Sequence, residues 1–239
     1  MIQKTIFYLK VLLAGAWFFL TTFLGLFILI VRWKDPNMGA IMARFLNWGS
    51  CKILGYRIRV EGSENLYKNQ PCVYTINHQS NIDIMTMGGM FPYKTVVIGK
   101  KEMRKIPLFG WFFSGTGMVM IDRKDRTQAI AGLAEVTEAI VKKGHSIWIF
   151  PEGTRNHGKE LLPFKKGAFH MAITAQVPIV PIVQQNLLSY LDIKNRQIIP
   201  GTILIRVLEA IPTLGMTTDD VITLMAKVRS AMEVEMKNK

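Results

Sequence analysis

Val73-Tyr74-Thr75-Ile76-Asn77-His78-Gln79-Ser80-Asn81-Ile82-Asp83 reads as a short buried strand that runs out into a polar turn. Asn77, Ser80 and Asn81 are residues of turns and helix starts. The stretch places an imidazole and a carboxylate, His78 and Asp83, five positions apart. On a helix, positions i and i+5 face different ways, so the two side chains meet most easily across a turn. If they meet, Asp83 accepts the proton on one ring nitrogen of His78, fixing the tautomer and leaving the other nitrogen free as a base. That is the base and orienter of a hydrolase triad without its serine. On these residues alone a plainer reading stands beside it, a satisfied polar histidine at a strand end.

Working outward, further runs look like strands: Tyr56 to Val60, which alternates as an edge strand does, then Thr95 to Ile98, Met118 to Ile121, Ser146 to Phe150, Ile179 to Val183 and Ile203 to Leu208. Helical patterns fall between several of them. Asp125 with Gln128 forms a capping-box start for a helix carrying Ile130, Leu133, Val136 and Ile140 on one side, and Gly144 stops it. Thr218, followed by Asp219 and Asp220, caps a last helix with Val221, Met225, Val228, Met232 and Met236 on its apolar side. Strands alternating with helices predict an α/β fold, a mainly parallel or mixed sheet of about seven strands flanked by helices. In such sheets ligands gather at the carboxyl ends of strands, where His78 lies.

The N-terminal part differs in kind. Val11 to Val31 carries no charge, and at helical rise this run covers roughly 30 Å, about one hydrocarbon thickness. It is too long for a signal peptide, lacks a small-residue cleavage site and shows no polar face, so a membrane helix is expected. Lys4 and Lys10 precede the run while Arg32, Lys34, Arg44 and Lys52 follow it, which leaves orientation open. After the turn Asp35-Pro36-Asn37, the stripe Met38, Ile41, Met42, Phe45, Leu46 predicts a basic amphipathic helix suited to a headgroup layer. Residues 1–54 are therefore expected to form a two-helix membrane-anchoring module that dips in and returns, and residues 55–239 the α/β domain. The hydrophobic content of 49% agrees, and the formal charge of +13 asks for an anionic partner. Cys51 and Cys72 have no zinc or disulfide spacing, and His145, His157 and His170 lack any partner comparable to Asp83.

A second constellation follows the run Ser146 to Phe150: Pro151-Glu152-Gly153-Thr154-Arg155-Asn156. Gly153 permits close backbone approach, Thr154 offers a hydroxyl and Arg155 a planar fork that matches a phosphate. Gly153 to Lys159 also fits G-x-x-x-x-G-K, but Glu160 stands where a nucleotide-binding loop needs Ser or Thr, so that reading is rejected.

Together, His78-x4-Asp83 and Phe150-Pro151-Glu152-Gly153-Thr154-Arg155 resemble the glycerolipid acyltransferase family, and most closely its bacterial 1-acylglycerol-3-phosphate acyltransferases. The resemblance extends to Lys100 through Gly110, Gly117 through Arg123 and Val177 through Pro181. One small departure is Met103, where a leucine is common. It implies transfer of a fatty acyl group from an acyl thioester, acyl-CoA or acyl-carrier protein, to the sn-2 hydroxyl of lysophosphatidic acid, giving phosphatidic acid. His78 would act as base and Asp83 as its orienter. No cofactor, metal or nucleic acid is implied.

In the same reading Arg155 and Lys100 hold the acceptor's phosphate, Arg123 is a further phosphate candidate, and Glu152 orients Arg155 or binds the glycerol. Gly153 and Thr154 line the substrate site, and Lys101, Lys165 and Lys166 face the donor or the membrane. The expected location is the cytosolic face of the inner membrane, against an anionic bilayer surface. Two alternatives remain at this point: a different lysophospholipid acceptor, and a membrane-anchored basic binding protein in which the His78 and Asp83 pair is idle.

Overall fold

The computed structural model describes residues 2–122, 126–185 and 187–237. In chain order the elements are α1 (Ile2–Leu29), α2 (Pro36–Leu54), β1 (Tyr56–Glu61), α3 (Asn65–Lys68), β2 (Val73–Ile76), α4 (Asp83–Met87), β3 (Thr95–Lys100), α5 (Phe109–Gly115) and β4 (Val119–Ile121). They continue with α6 (Arg126–Lys143), β5 (Ser146–Ile149), α7 (Gly167–Ala175), β6 (Ile179–Gln184), β7 (Leu191–Asp192), β8 (Gln197–Ile198), β9 (Gly201–Val207) and α8 (Val221–Lys237). The seven expected strands form one sheet in the order β1-β9-β6-β2-β5-β3-β4, parallel throughout except where β9 runs against β6. A two-stranded hairpin, β7 with β8, has no apolar run in the sequence to announce it.

Alternation along the central strands divides the core. Val73, Ile147, Ile149 and Ile179 face α6, α7 and α8, whereas Tyr74, Trp148, Val180 and Ile182 face α2, α3 and α4. Tyr74 and Phe169, one in each layer, are wholly buried, and each such side chain contributes about 2 kcal/mol. Val136 and Ile140 of α6 are buried as expected; the side chain of Ile130 and the capping residue Asp125 lie outside the described residues. On α8 the buried residues are Val221, Leu224, Val228 and Met232. Its cap is Thr217 rather than Thr218: Asp220 accepts from Thr217 N at 2.8 Å, and Thr217 Oγ1 accepts from Asp219 N.

The N-terminal helices depart from expectation. α1 is the one helix among the described residues long and apolar enough to cross a bilayer, with a mean hydropathy of 2.2, and it is a candidate membrane anchor. Its buried residues, Phe7, Ala14, Thr21, Thr22, Gly25 and Leu29, recur at about two helical turns and form a narrow seam; most of the remaining large apolar side chains are exposed. α2 is not apolar enough to be a second crossing helix. Met38, Met42, Leu46 and Leu54 are buried, and small residues among them admit close neighbours: Gly49 lies against Trp17 of α1, Gly39 against Met118, and Ala43 O against Gly88 of the 88–90 turn. Small residues weigh little in a periodicity reading, which is why the stripe alone suggested a one-sided helix. Even Arg44 is turned inward, donating to Phe91 O and Tyr67 Oη and lying 4.3 Å from the Tyr93 ring.

Candidate active site

The site follows from register. β2 and β5 pair in parallel with Thr75 opposite Ile149, so Asn77 and His78 leave the sheet beside Pro151 and Glu152. Two turns more than seventy positions apart in the chain are thereby laid side by side.

Within the first turn, His78 Nδ1 stands 2.6 Å from Asp83 Oδ2. The same carboxylate oxygen accepts Gln79 N at 2.8 Å and Ser80 N at 3.0 Å, while Oδ1 accepts Gln184 Nε2 at 3.3 Å. Asp83 is 1% exposed and His78 18%. A carboxylate so held accepts a hydrogen bond from Nδ1–H, which keeps the proton on Nδ1 and leaves a lone pair on Nε2. The imidazole also stacks on Phe150, ring centroids 4.1 Å apart and planes at 21°, so its tilt is set from below as well as from the side.

Asn77, read from the sequence only as a turn residue, and Gln79 and Gln184, not singled out there, fix this turn to the sheet. Asn77 and Gln184 exchange a pair of hydrogen bonds, Asn77 Nδ2 to Gln184 O at 2.9 Å and Gln184 N to Asn77 Oδ1 at 2.8 Å, continuing the β2–β6 ladder with a side chain. Gln79 Nε2 donates to Gln184 O and Gln185 O, and Gln79 Oε1 accepts Leu187 N. The available signal was a polar pair, Gln184-Gln185, ending an otherwise apolar strand.

Glu152 is 2% exposed, does not line the cavity beside His78, and its oxygens are engaged by this framework. Its oxygens accept His78 N at 2.8 Å, Leu162 N at 2.9 Å and Asn156 Nδ2 at 3.1 and 3.2 Å, and Asn156 N donates to His78 O. The carboxylate thus ties the His78 turn to the loop after β5, whose far end is held by Arg229 donating to Leu161 O and Leu162 O. Gly153, at φ 72°, makes the reversal that brings this loop back, in a region where a side chain would be strained.

His78, Asp83, Arg155 and Lys100 all line one cavity of about 340 Å³. Arg155 is half-buried, and its Nε has no hydrogen-bond partner among the described residues. The remaining walls are mostly apolar, including Phe18 from α1, Met42 and Leu46 from α2, Phe112 from α5, and Met118. Thr154 is exposed and Gly153 half-buried, and neither lines the cavity; nor do Lys165 and Lys166, which are exposed at the start of α7. Lys101 pairs with Asp122 at 2.9 Å. Arg123 lies outside the described residues.

Comparison with known proteins agrees with this arrangement. The Acyltransferase family profile matches residues 57–185. The chain is 36% identical to human 1-acyl-sn-glycerol-3-phosphate acyltransferase alpha over 95% of its length and 80% of that protein's. It is 34% identical to the 1-acyl-sn-glycerol-3-phosphate acyltransferase of Haemophilus influenzae, over 88% of this chain and 86% of that one. In fold it is similar to the crystal structure of the 1-acyl-sn-glycerophosphate acyltransferase of Thermotoga maritima, with a TM-score of 0.77, 24% identity, and 99% and 94% of the two chains covered. A histidine and a carboxylate at a strand end, an arginine lining the same largely apolar cavity, and these relatives lead to one conclusion: the chain belongs to the acyltransferase family.

Proposed function

We propose that this acyltransferase moves a fatty acyl group from a soluble thioester, acyl-CoA or acyl-carrier protein, to the sn-2 hydroxyl of 1-acylglycerol-3-phosphate, giving phosphatidic acid at the cytosolic face of the inner membrane. The observation that carries the reading is the shared cavity, with an oriented base and an arginine whose Nε has no hydrogen-bond partner among the described residues, on walls otherwise suited to hydrocarbon. Relatives whose names specify that acceptor support it.

His78 Nε2 takes the proton of the acceptor hydroxyl as its oxygen attacks the thioester carbonyl, and Asp83 stabilises the imidazolium that forms. The tetrahedral adduct collapses with cleavage of the carbon–sulfur bond, and the proton passes from His78 to the departing thiolate. Because a thioester is already activated, no acyl-enzyme is required. Arg155 and Lys100 hold the phosphate so that the hydroxyl lies beside His78, which removes part of the entropic barrier. Glu152 positions His78 through its backbone. α1 keeps the site at the bilayer, where acceptor and product reside.

The test is acyl transfer by wild type and His78→Ala, with one acyl-CoA donor and a panel of lysophospholipids. We expect lysophosphatidic acid to be the best acceptor, and His78→Ala to lower turnover by about 10²–10⁴ with unfolding unchanged. Equal use of acceptors bearing a headgroup diester would overturn the acceptor, and an active His78→Ala would overturn the mechanism.

A further inference from the structure

We infer that the outer side of α5 and the loop before it form a second bilayer contact, continuous with the end of α1, which holds the rim of the cavity against an anionic lipid surface. This rests on the reading of the site as one that draws its acceptor from the membrane. α5 is two-sided. Phe109, Phe112 and Phe113 are buried and line the cavity, while Trp111 between them is 71% exposed. One turn later Gly115 presents the same side of the helix. There the end of α1 and the loop after it dock: a Cβ on Gly115 would fall 2.6 Å from Leu29 Cδ1 and 2.8 Å from Trp33 Cζ3, and Gly115 O accepts Lys34 N at 2.6 Å.

Trp111 therefore extends an apolar surface that begins on α1 and continues through Ile30, Val31 and Trp33, all more than half exposed. Before α5, Ile106 is 38% exposed and also lines the cavity, so the apolar surface reaches the rim of the site itself. The flanking charge is mostly positive. Lys100, Arg104 and Lys105 are exposed alongside Lys34, with Glu102 the acidic residue of the loop; Lys101 and Arg32 are engaged by Asp122 and Asp35. Tryptophan beside basic side chains is the composition of a headgroup layer, and the +13 charge of the chain favours anionic lipid over a second copy of the same protein.

The experiment uses the full chain. Acyl transfer by Trp111→Asp and Trp111→Phe is measured on long-chain lysophosphatidic acid in phosphatidylcholine–phosphatidylglycerol vesicles, and on a short-chain, monomeric lysophosphatidic acid. We expect Trp111→Asp to lose about tenfold in kcat/KM on vesicles and less than twofold on the monomeric acceptor, with Trp111→Phe close to wild type. In parallel, an environment-sensitive fluorophore on Trp111→Cys, specific because Cys51 and Cys72 are buried, should be quenched by brominated acyl chains. A control label at Val141→Cys on α6, across the sheet, should not be quenched. Equal loss on both acceptors, no loss on vesicles, or an unquenched label at position 111 would each overturn the proposal. The label reads bilayer contact even if the acceptor proves to be a different lipid, so the two readings fail separately.

Discussion

Replacing Asp83 by asparagine removes the charge and keeps the shape. In the protein Oδ2 collects three donors, His78 Nδ1, Gln79 N and Ser80 N, within 3.0 Å. An asparagine oxygen placed there keeps all three, but its amide then meets Gln184 Nε2, donor against donor. The opposite rotamer donates to His78 Nδ1, which moves the ring proton to Nε2 and removes the base. Either way the negative charge opposite the imidazolium is gone. At an effective dielectric of about 20 and about 4 Å between charge centres, that interaction is worth roughly 4 kcal/mol, about a thousandfold in rate. The fold should lose only about 1–2 kcal/mol, since the backbone contacts survive in weakened form, and Tm should fall by a few degrees. The assay is steady-state acyl transfer followed by release of free thiol, alongside thermal unfolding of the same preparation. If Asp83→Asn stayed within fivefold of wild type, or lost activity only in proportion to folded protein, the orienting role would be refuted.

Two further outcomes test neighbouring features. Glu152→Gln sets an amide donor against His78 N or Leu162 N, and should cost about 2–3 kcal/mol in urea denaturation; unchanged stability with a raised KM for lysophosphatidic acid would mean that the side chain touches substrate after all. His145 has its pKa held below the usual 6.5 by burial first and then by Lys143 and Lys94, against Asp35. Above about pH 6.5 native and unfolded chains bind the same number of protons there; below it the unfolded chain takes up a proton that the native state resists, so stability falls as pH drops through that window. Tm should fall slightly between pH 7 and 5.5, and His145→Gln should flatten that slope; an unchanged slope would contradict the assignment.

The strands were legible because short runs of four to six residues, mostly apolar and bounded by turns, fit a sheet covered on both faces. Their order was not, since nothing in Thr75 or Ile149 says that the two lie opposite one another, and that pairing is what brings Glu152 beneath His78. The pairing of His78 with Asp83 was accessible locally, through a turn. The support from Asn77 and Gln184 was not, because amides carry no chemistry of their own and gain meaning from whatever the fold sets against them. Glu152 shows the converse: a charged residue in a polar motif invites a substrate role, and only its burial and its backbone donors reveal a brace. α2 was misread through its small residues, whose contribution is the space they leave.

The single neighbour of β1 in the sheet is β9. As the polypeptide emerges, the strand that follows the two N-terminal helices has nothing to zip onto until Gly201–Val207 has been translated, a wait of about seven to thirty seconds at ordinary ribosome speeds. The seam between β1 and the rest of the sheet is thus among the last to be sewn.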